Sequence, residues 1–333
     1  MIEVRNLVKK YGDHVAVDHL NFTVEKGKIY GFLGPNGAGK STTMNMITGY
    51  IASTEGDILI DGHNILEEPE EAKKKIGYLP ELPPLYQDMT AREYLEFAAE
   101  LKGIPKEKRQ GNINEVMSTT KIQNVKDRLI KNLSKGYKQR VGLAQVLLGY
   151  PEIIILDEPT VGLDPKQIIE IRDLIKSLGK NHTVILSSHI LSEVSAVCDY
   201  VLIIDKGKLV ASDSPENLSR LMSGANSLEM TVKGKESEIR KALDLVENIE
   251  DVVYHNSIVP GACDFTIKIS GDVDMRENIF FALAEAKCPI LKMQSSNMSL
   301  EEVFLKLTDD RNPGGRPAEE EIFEDEIEEE GEE

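Results

Sequence analysis

The sequence predicts an α/β protein: a core with a parallel sheet and helices on its faces, a helical insertion within that core, and a small α+β unit after it. Three observations carry this. Short apolar strands alternate with amphipathic helices through much of the first 210 residues. One strand runs into a glycine-rich turn that opens a helix. The later part of the chain repeats strands and helices in a βαββαβ order. At 333 residues the chain is long enough for one large domain and a smaller one.

The chain opens with β-type runs, IEVRNLVKKY and then HLNFTVEKGKIYGFLG, and the latter leads into the helical pattern KSTTMNMITGY. GDILIDGHNI (56–65) alternates like a hairpin, and IGYLPE (76–81) reads as a short buried strand. From about 82 to 150 the pattern is helical, clearest in TAREYLEFAAELKGI and VGLAQVLLGY. Strands return as IIILDE (153–158), VILSSH (184–189) and YVLIIDKGKLV (200–210), with the helix KQIIEIRDLIKSLGK between the first two. A first domain is therefore expected over 1–225, with the insertion at 82–150. The segment 211–226 reads as its boundary. A ferredoxin-like unit is expected at about 227–297, and a capped helix, SLEEVFLKLTDD, extends this accessory domain to 310. Asn312-Pro313-Gly314-Gly315 breaks structure before a disordered acidic tail, giving a third segment at 311–333.

The net charge of −18 is concentrated at one end. Eleven of the 57 acidic residues and no basic one lie in 318–333, which leaves only −7 for the remainder. The acidity is thus a tail property, and no basic stripe points to nucleic acid. Cys198, Cys263 and Cys288 are scattered and odd in number, as structural thiols in a reducing compartment are. The opening MIEVRNLVKKYG is polar and alternating, unlike a secretory signal. No apolar run approaches the ~20 residues of a membrane span, so work at a membrane would need another chain to cross it.

GPNGAGKS (34–41) carries the first chemistry. Gly34, Gly37 and Gly39 let the backbone turn its N–H groups toward phosphates, and the following helix adds its positive end. Lys40 reaches β- and γ-phosphates, and the Ser41 hydroxyl suits Mg²⁺. IIILDEP (153–159) supplies a buried strand ending in Asp157, a second hard oxygen ligand, and Glu158, which can accept a proton from an attacking water. Either motif alone also reads as a structural turn. Together they specify a P-loop NTPase.

The class follows from LSKGYKQR (133–140), VGLDP (161–165) and His189, which stand in order around IIILDEP. With them, residues 1–225 resemble the ATP-binding cassette (ABC) ATPases. That resemblance implies that ATP and Mg²⁺ are bound. It gives Tyr11 the role of stacking on adenine, and it assigns Gly34, Asn36, Gly37, Ala38, Gly39, Lys40, Ser41 and Thr42 to the phosphate loop. Ser134 and Gly136 match the signature, Asp164 the D-loop and His189 the switch histidine; Glu158, His189 and Lys40 are the catalytic candidates. Ser41, Asp157 and Glu81 are the expected metal contacts, with Glu81 standing where most of the family has glutamine. Lys135 and Tyr137 also depart from the usual signature. The family implies a head-to-tail dimer with ATP between the phosphate loop of one copy and the signature of the other.

Coverage extends to about residue 310 when the chain is compared with the ATPase subunits of bacterial multidrug-type and gliding-motility-type exporters. These are similar in carrying LSKGY, GYLPE and a SLEEVFLKLT-like end. The expected function is then ATP hydrolysis that powers a separately encoded permease, at the cytoplasmic face of the plasma membrane. In that family the helical subdomain forms the groove for a permease coupling helix, and the segment 82–102 of the insertion lies at that place. A competing reading is a soluble cassette protein acting on ribosomes or DNA. Against it stand the single cassette, the absence of sustained heptads between phosphate loop and signature, and the lack of a basic stripe. Intact Glu158 and His189 count against a non-catalytic binding subunit.

Overall fold

The computed structural model describes residues 1–223, 226–255, 257–271, 273–296 and 304. The chain begins with the hairpin β1 (Ile2–Tyr11) and β2 (His14–Val24), then β3 (Ile29–Leu33) and α1 (Lys40–Ile47). Next come β4 (Glu55–Ile60), the short β5 (His63–Asn64), α2 (Pro69–Lys74) and β6 (Ile76–Leu79). The insertion follows as α3 (Ala91–Leu101), α4 (Lys106–Thr119) and α5 (Lys135–Leu147). The core resumes with β7 (Ile153–Leu156), α6 (Pro165–Leu178), β8 (Thr183–Ser188), α7 (Leu191–Val197), β9 (Tyr200–Asp205), β10 (Lys208–Asp213) and α8 (Pro215–Ser223). The last described elements are β11 (Asn226–Lys233), α9 (Glu236–Leu243), β12 (Ile249–His255), β13 (Ala262–Ile269), α10 (Arg276–Glu285) and β14 (Ile290–Ser296).

The central sheet has the order β10-β9-β3-β8-β7-β6, parallel except for the edge strand β10. Its inner strands β3, β7 and β9 are nearly continuous apolar runs because both faces are covered. Along β7, Ile153 and Ile155 enter one core, shared with the antiparallel sheet β2-β1-β4-β5 and α1, while Ile154 and Leu156 enter the other, shared with the insertion. The strands β3, β7 and β8 therefore end side by side, and the loops at their carboxyl ends can meet.

The structure refines two sequence readings. HLNFTVEKGKIYGFLG divides at Glu25–Gly27, where Gly27 takes φ +72°, so β2 and β3 belong to different sheets. YVLIIDKGKLV is not one strand: it reverses at Lys206 and Gly207, both at positive φ, in the two-residue turn that right-twisted hairpins favour. The small unit has the sheet order β12-β13-β11-β14, antiparallel throughout, with α9 and α10 packed through Ile239, Leu243, Ile279 and Leu283 onto Leu228, Phe265 and Ile267. This is the predicted ferredoxin-like arrangement. Of the expected helix 299–310 only Phe304 is described; it is helical and packs on the insertion-side core. The tail 311–333 lies outside the described residues.

Candidate nucleotide site

The phosphate loop is built by close approach. A Cβ on Gly34 would lie 2.4 Å from the carbonyl oxygen of Ile204. One on Gly39 would lie 2.5 Å from that of Ala16, and Gly39 also holds φ +101° as the N-cap of α1. Only glycine satisfies both the space and the dihedral there. Asn36 and Gly37 stand exposed at the tip, Ala38 is buried, and Thr42 is half-buried on the first turn of α1. Lys40 is buried and its Nζ donates to the carbonyls of Gly34 (2.8 Å) and Pro35 (3.2 Å). Burial lowers its pKa from the ordinary 10.5, and the nearby Glu158 and Asp157 push in the opposite direction.

Two carboxylates at the end of β7 face this loop. The Ser41 hydroxyl lies 3.5 Å from Asp157 Oδ1, and Asp157 is buried. Glu158 adopts φ +46°, an uncommon conformation for a side chain of its type. Its Oε2 accepts from His189 Nδ1 at 2.9 Å. His189, just past β8, and Glu158, just past β7, are thus in contact, as neighbouring parallel strands allow. Glu81 is exposed just beyond β6, and Tyr11 ends β1 with 51% of its surface exposed and Lys9 Nζ 5.1 Å from its ring centroid.

Ser134, Gly136 and Asp164 are brought together, away from the phosphate loop. They line a separate hollow of about 340 Å³ with Tyr137 and Gln167. Ser134 caps α5, its Oγ accepting from the Tyr137 N–H at 3.4 Å, and Asp164 caps α6 through the Gln167 N–H at 2.9 Å. A Cβ on Gly136 would meet the terminal amide of Gln167, with Oε1 at 2.5 Å, so α5 and α6 approach closely here. Lys135 reaches across to the D-loop: its Nζ would be 2.2 Å from a Cβ on Gly162. The Tyr137 hydroxyl accepts from Asn124 Nδ2 at 3.0 Å and its ring packs on the insertion core. Both departures from the family signature therefore have partners within the chain.

The sequence reading missed Ser187. Fully buried in β8, it donates from Oγ to Asp157 Oδ1 (2.5 Å) and accepts from the Glu158 N–H (2.9 Å). The signal was a hydroxyl directly after the apolar run Val184–Leu186 of a buried strand, since a buried polar group needs a partner. Tyr78 was also missed. It donates to Asn45 Oδ1 at 3.2 Å; burial, then the charge of Asp157, pushes its pKa up to about 12, so it stays a neutral donor.

A parallel sheet whose glycine loop faces a strand-end Asp-Glu pair defines a P-loop ATPase. The profile of the family described as ABC transporter matches residues 17–161. The bacitracin transport ATP-binding protein BcrA of Bacillus licheniformis is 39% identical over 312 residues, covering 92% of this chain and 97% of that one. The linearmycin resistance ATP-binding protein LnrL of Bacillus subtilis is 34% identical, covering 92% and 98%. Among solved structures, an ATP-binding subunit of an ABC transporter aligns with TM-score 0.61 at 29% identity, covering 67% of this chain and 93% of that one. The dimeric bacterial ABC transporter cassette MJ0796 aligns with TM-score 0.59 at 27% identity, covering 64% and 98%. The chain belongs to the ABC transporter ATP-binding proteins. It is an ATPase subunit of the exporter type, in which ATP hydrolysis is coupled to transport.

Proposed function

We propose that two copies of this chain sandwich two ATP molecules, and that closure and hydrolysis drive a separately encoded permease exporting a compound of the antibiotic class. The names of relatives, bacitracin transport, linearmycin resistance and lantibiotic transport, support the export of such compounds. The observation that carries the reading is the Glu158–His189 contact beside the phosphate loop, with Ser41 facing Asp157.

In this reading Lys40 exchanges the carbonyls of Gly34 and Pro35 for phosphate oxygens. Glu158 accepts the proton of the attacking water, and His189 orients its carboxylate. With Nδ1 donating to Glu158, the His189 ring can also donate from Nε2 to a γ-phosphate when it carries both protons. Ser41 and Asp157 are hard oxygen donors of the kind Mg²⁺ takes together with phosphate oxygens and water, and no three-carboxylate or histidine cluster among the described residues competes as a metal cage. Mg²⁺ held there, with Glu81 alongside, would neutralise phosphate charge.

The hollow of Ser134, Gly136 and Asp164 faces outward and lacks the phosphate loop in its lining, so it suits the nucleotide of a second copy. The dimeric MJ0796 cassette supports that assembly. Among the described residues no helix is long and apolar enough to cross a membrane, so the permease is a separate chain in this reading. Its docking surface is the insertion. Leu82, Tyr86 and Leu101 are exposed there. A hollow of about 1100 Å³ between insertion and core carries Lys73, Lys102 and Lys108 and the unpartnered buried Nδ2 of Asn112. The test of the reading is Glu158→Gln: nucleotide binding is retained, turnover falls at least about a hundredfold, and an ATP-bound dimer accumulates on size exclusion. Rapid hydrolysis by that variant would overturn the base assignment.

A further inference from the structure

A second surface lies far from the nucleotide chemistry, in the small unit. Helices α9 and α10 leave between them an open groove of about 850 Å³. Its walls are two stripes at helical spacing, Glu238, Lys241, Ala242 and Leu245 on one side and Asn278, Phe281, Ala282 and Glu285 on the other. Leu245 is 84% and Phe281 62% exposed. Phe281 lies edge-on to its neighbour Phe280, with ring centroids 5.4 Å apart, and presents an exposed aromatic ring to the groove. Exposed Leu and Phe in a concave strip are the features of a docking surface.

The rim decides the occupant. Glu238, Glu247, Glu277 and Glu285 line the groove against the single cation Lys241. A second copy would bring the same carboxylates to face these, and like charges across an interface cost affinity. The chain's own 318–333 segment is acidic as well. Phe304, the apolar residue described after β14, packs on the insertion-side core and not in this groove. A helix with apolar side chains on one face and Lys or Arg on its flanks satisfies both floor and rim.

We propose that this groove binds a basic amphipathic helix from the permease, on the cytoplasmic side where membrane proteins carry their excess of Lys and Arg. The source of the helix rests on the transporter reading; the groove's chemistry does not. The contact would tie the small unit to the membrane partner independently of the insertion.

The probe is a labelled 18-residue amphipathic peptide of Leu and Lys, titrated by fluorescence anisotropy against the full-length chain, beside a Leu and Glu peptide of the same pattern. The Lys peptide is expected to bind with one-to-one stoichiometry, and the Glu peptide at least about tenfold more weakly. Phe281→Ser, which keeps every charge including the acidic tail, is expected to lower affinity about tenfold or more. Glu277→Gln with Glu285→Gln is expected to weaken binding and flatten its salt dependence. Unchanged affinity in Phe281→Ser would place the peptide on the tail and overturn the proposal. Equal binding of the Glu peptide, or self-association of the chain that Phe281→Ser abolishes, would also overturn it. ATP hydrolysis by the same preparations reads the catalytic assignment separately: the three substituted side chains line the groove of the small unit, outside the nucleotide site, so hydrolysis is expected to be unchanged.

Discussion

At the residue scale the most informative side chain is Ser187. One buried hydroxyl holds the carboxylate of Asp157 and the backbone of Glu158 together, so the groups proposed to meet the metal and to accept the proton share a support. Ser187→Ala is expected to lower kcat about tenfold to a hundredfold, the scale seen when an outer partner of a liganding group is removed. KM for ATP should hardly move, and Ser187→Thr, which keeps the hydroxyl, should recover much of the loss. Equal kcat in the alanine variant would show that β8 positions the pair without it. Lys40 supports a proton-linkage prediction. Because burial lowers its pKa in the folded chain, it loses its proton before the 10.5 of an unfolded lysine, and a bound triphosphate restores the charged form. ATP binding is therefore expected to take up protons increasingly as pH rises into the alkaline range. Calorimetry in two buffers of different ionisation enthalpy reads this, and Lys40→Ala should both remove the uptake and weaken binding.

At the scale of single elements, capping sets where the functional helices begin. Ser134 and Asp164 each cap a helix with an oxygen that also lines the signature hollow, so their substitution changes stability and activity together. Thr90 separates the two effects. It forms a reciprocal capping box with Glu93 at the start of α3, away from both nucleotide-binding patches. Thr90→Ala is expected to cost about 1 kcal/mol of stability, visible as a lower denaturant midpoint, with ATP hydrolysis at room temperature unchanged. A loss of hydrolysis without loss of stability would give α3 a role beyond support. The end of the same helix is tied down by Lys102, whose Nζ donates to the carbonyls of Val146 and Leu148 near the end of α5. The end of α3 is therefore fastened to the end of α5, the helix that precedes β7 in the chain.

At the scale of the whole molecule, the two halves of the proposed ATP sandwich sit on different patches of one chain, and neither contains the other's residues. A single copy holds the glycine loop with Ser41, Asp157 and Glu158 on one patch, while Ser134 and Gly136 line a hollow that does not include them. Hydrolysis is accordingly expected to rise more than linearly with protein concentration until dimers saturate; strict proportionality from the lowest concentrations would argue for a working monomer. The acidic tail tests the charge reading made at the outset. Removing 318–333 takes away eleven acidic side chains, and ATPase activity is expected to stay near that of the full chain at physiological salt, where screening shortens the reach of charge to about 8 Å.

The parallel core, the insertion, the ferredoxin-like order and the phosphate loop were legible in the residues alone. Apolar runs, helical periodicity and glycines at fixed spacing are local properties, written within a few residues of one another. Glu158 and His189 were legible as candidates, yet their 2.9 Å contact was not, because it depends on β7 and β8 being neighbours with aligned ends. The same cause hid Ser187, the reach of Lys135 to Gly162 and the Asn124 partner of Tyr137, each set by a crossing of segments far apart in sequence or on different elements. Phe281 and Leu245 would pass for core residues in a helical pattern; only the packing of α9 and α10 leaves them outside. Spacing along the chain thus determined which chemistry is present. Which groups touch, and which apolar side chains are left uncovered, was decided when strands and helices found their neighbours, since close packing satisfies some side chains only by excluding others.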